Sequence, residues 1–123
     1  EFVKPKTIEI MSDYLYLFRG GDARRAEQSP EQMQAHMQKW GTWMQNLSEQ
    51  GKFVAGEPLK GEGKVVENAG EVITDGPFAE GKEIVGGYLI VKSDNREDAV
   101  ELSKGCPIFE HAGTVEVREI SKM

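Results

Sequence analysis

The run YLYLF, residues 14–18, is apolar or aromatic at every position. A strand with one wet face alternates, so an unbroken run of this length predicts a strand covered on both faces. Gly20-Gly21 ends it. A second run of the same character, GGYLIVK, occupies residues 86–92. Two such strands predict a sheet with helices on one face and a further cover on the other.

Working outward, residues 20–28 are polar and read as a loop. A helix then starts at Ser29: Ser29 is the N-cap, Pro30 suits the first helical position and Gln32 completes a capping box. Met33, Met37, Trp40, Met44 and Leu47 recur at helical spacing, and Gly51 closes the helix. Phe53 to Glu57 reads as a short strand. Val65–Glu67 and Glu71–Thr74 flank the turn signal Asn68-Ala69-Gly70 and read as a hairpin. Beyond the 86–92 strand, Asp94 or Asn95 caps a second helix, with Ala99, Val100 and Leu102 facing inward and Gly105 and Pro107 ending it. Thr114 to Ile120 alternates as a last strand. The order predicts an α+β domain, a ferredoxin-like split βαβ plan with an extra hairpin in its middle. A second copy of the chain is the economical cover for the helix-free face.

The chain has 123 residues and a formal net charge of −6. That length suits one domain with a core of its own. Residues 13–121 read as that domain and residues 1–12 as an N-terminal extension, native or added upstream. Met11-Ser12 is a natural start for the compact part. The acidic balance argues against a nucleic-acid partner, which needs a basic face, and fits a soluble intracellular protein. No apolar run approaches a membrane span. One cysteine and two histidines exclude an internal disulfide and a typical zinc site. Cys106 follows a helix end and reads as an inert thiol.

The stretch TDGPFAEGKE, residues 74–83, is the least ordinary in the chain. It spells G-x-x-x-x-G-K, but Glu83 stands where a phosphate loop needs a hydroxyl, Pro77 removes a backbone donor and a strand follows instead of a helix. A turn built on Asp75, Gly76, Pro77 and Phe78 explains the residues better, with Asp75 accepting from the amides after it and Phe78 re-entering the core. An acid–base reading needs two of the carboxylates Glu57, Asp75, Glu80 and Glu83 to converge in a cleft, where one would then hold its proton. His36 lies at the border of the apolar helix face, where packing is the ordinary role and proton transfer the sharper one. The same two roles stand for His111, in a loop after Pro107.

Several of these stretches together resemble the DGPF family, which belongs with the YCII-related domains. The resemblance rests on YLYLFRG (14–20), SPEQM (29–33), GKFVAGEPL (51–59), VITDGPFAEGKE (72–83), GGYLIV (86–91), GCP (105–107) and GTVEVRE (113–119). It implies a ferredoxin-like fold that pairs through its sheets into a dimeric α/β barrel, in a bacterial, cytoplasmic protein. It also implies a regulatory link to extracytoplasmic-function sigma factors, near whose genes such proteins are often encoded. Related dimeric barrels bind small organic molecules, and some are isomerases, lyases or monooxygenases without metals. YCII-type relatives carry a His–Asp pair, and its positions fall here on Trp40 and on Cys106 of Cys106-Pro107. This chain therefore lacks that pair, and His36 stands one helical turn from it.

The expected site comprises Glu57 and Asp75 as candidate proton carriers, with Trp40, His36, Lys82 and Glu83 as further ligand contacts and no cofactor or metal. Three functions stay open. One is a homodimeric small-molecule-binding module with an accessory or regulatory role. Another is a cofactor-free enzyme that moves a proton on a small organic acid, with Lys82 holding the anionic group. A protein-interaction module, with a sigma factor as partner, is a third.

Overall fold

The computed structural model describes residues 11–20, 28–76 and 84–122. Residues 1–10 of the N-terminal extension, and Pro77, Phe78, Glu80, Lys82 and Glu83 of the unusual stretch, lie outside the described residues.

Strand β1 spans Ser12–Arg19 and helix α1 spans Pro30–Glu49. Strands β2 (Phe53–Pro58), β3 (Gly63–Glu67), β4 (Val72–Gly76) and β5 (Val85–Ser93) follow, then helix α2 (Arg96–Ser103) and strand β6 (Thr114–Glu119). Four strands form one antiparallel sheet in the order β2-β5-β1-β6, while β3 and β4 pair as a separate hairpin. This is an α+β arrangement consistent with the ferredoxin-like plan, with the hairpin inserted between its second and third sheet strands.

Local chemistry explains the helix ends. The Ser29 hydroxyl accepts from the Gln32 amide at 3.2 Å, and the Gln32 side chain accepts from the Ser29 amide at 2.9 Å. Gly51, at φ +72°, lets the chain turn left-handed at the other end. There the Gly51 amide donates to the Ser48 carbonyl and the Lys52 amide to the Leu47 carbonyl, both at 2.9 Å. Asn95 caps α2, its side chain accepting from the Asp98 amide at 2.8 Å.

In β1, Tyr14, Tyr16 and Phe18 point to the helix side and are buried. With Leu89 and Val91 of β5, Trp43 and Leu47 of α1, Ala99 of α2, Cys106 and Ile108 they form one core. The Tyr16 hydroxyl donates to the Ala99 carbonyl and the Trp43 indole donates to the Leu102 carbonyl at 3.2 Å, so both polar tips are satisfied inside it. Trp43 carries the helix burial that spacing assigned to the methionine stripe; Met37 is 61 % exposed. Val100 also faces solvent, because the short α2 turns Ala99 and Ser103 to the sheet instead.

The opposite sheet face carries Leu15 and Leu17 of β1 in register with Ile90 and Tyr88 of β5, all half-buried. Charged pairs bound this apolar centre. Asp13 and Lys92 meet at 3.2 Å at one end, and Arg19 pairs with Glu116 at the other.

Candidate functional site

Two sheet positions beneath the first half of α1 are glycines. Gly56 of β2 lies opposite Leu89, and Gly87 of β5 lies opposite Phe18, so both face the helix. A Cβ at Gly56 would stand 2.7 Å from the Leu89 side chain and 2.9 Å from the Tyr88 carbonyl oxygen. One at Gly87 would stand 3.1 Å from the Glu57 carbonyl oxygen. Close strand packing thus demands glycine, and the glycines leave a gap under the helix. The result is a cleft of about 460 Å³, within the range of small-molecule sites.

Met33, Met37, Trp40 and Met44 of α1 form one wall of the cleft, and Phe18, Phe53 and Leu89 help form the sheet side. The lining is mostly apolar, and the methionines give it an adaptable surface. Its far rim is the 3-10 segment Pro107–His111, which contributes Ile108 and His111.

The polar groups converge at that rim. The His36 and His111 rings stack at 3.9 Å between centroids, 18° from parallel. The Trp40 indole, which can only donate, gives its hydrogen to His36 Nε2 at 2.9 Å. Neutral His36 therefore carries its own proton on Nδ1, which faces Glu110 Oε1 at 3.2 Å. Lys39 Nζ holds the other Glu110 oxygen at 2.8 Å. Hydrogen bonds from Lys39 and His36 keep the Glu110 carboxyl below the usual carboxylate range. Gln28 Nε2 lies 2.7 Å from His111 Nε2. The chain Lys39–Glu110–His36–Trp40 thus fixes one tautomer and one orientation of a ring that lines the cleft.

Of the residues singled out from sequence, Trp40, His36 and Glu57 line this one cleft. Asp75 does not: it lies on β4 of the hairpin, its side chain 80 % exposed and paired with Lys64. Asp75 and Gly76 are the last residues of that strand. Lys82 and Glu83 lie outside the described residues. His111, Gln28, Glu110 and the three methionines complete the site without having been assigned to it. For His111 and Glu110 the available signal was the pair Glu110-His111 just after Pro107, whose partner 74 residues earlier no spacing rule reveals. No group of three or more His, Cys, Asp or Glu side chains among the described residues could hold a metal ion. Cys106, buried beside the cleft's neighbouring groove, has its thiol pushed up to about 12 by burial.

The sequence profile of the YCII-related domain matches residues 15–123. No curated protein matches the chain. Among solved structures, it is similar to 5-chloro-2-hydroxyhydroquinone dehydrochlorinase from Burkholderia phenoliruptrix in complex with 2,5-dihydroxybenzoquinone. That similarity has a TM-score of 0.46 and 12 % identity, covering 90 % of this chain and 95 % of that one. No described helix is long and apolar enough to cross a membrane.

Proposed function

The chain belongs to the YCII-related domain family, and on that footing we propose that it is a homodimeric accessory or regulatory module that binds a small, largely apolar organic molecule between α1 and the sheet. The observation that carries this reading is the glycine-floored cleft walled by Met33, Met37, Trp40 and Met44. The stacked imidazoles at one rim of a mostly apolar lining suit a ligand with an apolar body and a polar edge. Asp75, exposed on the hairpin and paired with Lys64, has no part in that site on this reading.

The test is uptake of Nile red, a neutral apolar dye, followed by its fluorescence. Met37 is exposed enough to accept a charge without loss of fold. Met37→Asp should weaken dye binding about tenfold, by setting a charge against an apolar guest. Equal binding by wild type and variant would sink the cleft reading.

A second reading, cofactor-free proton transfer, draws on the two imidazoles at the cleft wall. In that case the acid–base group is an imidazole, Glu57 turns its side chain to the helix-free face in register with Tyr88, and Asp75 is a bystander. The binding reading is preferred because both His36 nitrogens are already engaged by Glu110 and Trp40, and a general base needs a lone pair turned to its substrate.

The dimer in this proposal forms through the helix-free sheet face. Its apolar centre of Leu15, Leu17, Tyr88 and Ile90, ringed by ion pairs, has the make-up of an interface core and rim.

A further inference from the structure

The two histidines at the cleft wall are the only histidines in the chain, and they stack on each other there. His36 Nδ1 faces Glu110 and His36 Nε2 accepts from Trp40. A proton can therefore add only at Nε2, where it would meet the Trp40 N–H head-on. Indole has no acceptor nitrogen, so this contact cannot be reversed as an amide contact can. Trp40 is held edge-on by Phe18 at 5.1 Å and by Trp43 at 5.8 Å. The ring that must move is His36, and it is stacked on His111, which also lines the cleft.

We infer that protonation of His36 breaks its bond with Trp40, displaces the stacked imidazoles and weakens ligand binding in the cleft. This rests on the binding reading above and adds its regulation.

Charged groups of both signs face the ring. Lys39 on α1 opposes a new positive charge, and Glu110 on the 3-10 segment favours it. Glu110 holds its negative charge through the range in which an imidazole titrates. His111 faces the ring at 3.9 Å and repels it once both are charged. Across the cleft, Glu57 of β2 and Tyr88 of β5 border the floor, but they pair in register and alternate to the helix-free face, so their side chains point away from His36. Glu110 faces the Nδ1 side of the ring and the Trp40 N–H faces the other, so the Trp40 contact would turn a second proton into movement.

Nile red affinity measured at about pH 8 and about pH 5 reads the switch, since imidazole charge changes between those limits. Wild type should bind about fivefold more weakly at the acid limit, the change expected for one lost hydrogen bond. His36→Gln should bind alike at both limits, because glutamine can accept from Trp40 and donate to Glu110 without titrating. Long-range proton–nitrogen NMR of the two histidines supplies a readout that needs no variant. It should find the Nδ1–H tautomer of His36 at the alkaline limit, and the Trp40 indole signal should shift as that ring titrates. Constant affinity in the wild type, an equal fall in His36→Gln, or the opposite tautomer overturns the switch while the cleft reading stands. Absence of dye binding at about pH 8 overturns the cleft reading, and the switch with it.

Discussion

Cys106 shows how one side chain registers its surroundings. It sits in the core at 3 % exposure, and burial holds the thiol protonated up to about 12, against an ordinary value of 9.0. The folded chain therefore keeps a proton that the unfolded chain has released anywhere between those values. Unfolding stability must fall as pH rises through that window and is untouched below it. Tyr16, also raised by burial, titrates alkaline as well and adds to the loss. The melting temperature should thus hold up to about pH 9 and then drop. Cys106→Ala should flatten part of that drop while costing about 1 kcal/mol at neutral pH for the small void. An alkaline drop as steep in the variant as in the wild type would contradict a buried, titrating thiol. The same burial makes the thiol inert toward alkylating reagents in the folded state.

At the scale of the element, α1 is where local signals and site construction meet. Its capping box sits directly beside Gln28, and Met33, His36, Met37 and Trp40 fill its first half, so the N-terminal turn steers the whole cleft wall. Ser29→Ala removes the hydroxyl half of that box and leaves the Gln32 half. It should cost about 1 kcal/mol, read as a melting point lowered by roughly 3–6 °C. Because Gln28 reaches His111 at 2.7 Å, fraying there should also perturb the His111 ring signal in NMR. A melting point unchanged by the substitution would mean that packing alone holds the first turn. The hairpin β3–β4 behaves differently. It pairs with itself and exposes Val66 and Ile73, which face each other across its register. Its Lys64–Asp75 pair is open to solvent and is the kind that contributes little to stability.

For the whole molecule, the helix-free sheet face is where the proposed dimer would form. Leu15, Leu17, Tyr88 and Ile90 lie in register at its centre, half-buried in the single chain. Light scattering at micromolar concentration should give a dimer mass. Leu17→Lys, which sets a charge in the middle of that face, should shift the equilibrium to monomer by at least about tenfold in Kd. The cleft lies on the other side of the sheet, so the variant should still take up Nile red. A wild type that is monomeric by scattering would remove the dimer and the barrel together.

Most of the fold was legible because its signals are local. The runs at 14–18 and 86–92 specify strands by composition, Ser29 and Gln32 specify a helix start through bonds three residues apart, and Gly51 specifies its end by permitting a positive φ. Periodicity marked Trp40 as an inward residue, and His36 one turn before it as a border residue. Tertiary structure alone decided the site. Gly56 and Gly87 read as ordinary strand residues, and only the sheet register sets both under α1 as the floor of a cleft. Glu110 and His111 gain their meaning from contacts with α1 and the residue before its cap. Asp75, conspicuous in sequence, is carried off on a separate hairpin. Local bonding and hydrophobic spacing are written along the chain. Which distant side chains share a cavity depends on how the elements pack, and that is settled only when the whole core closes.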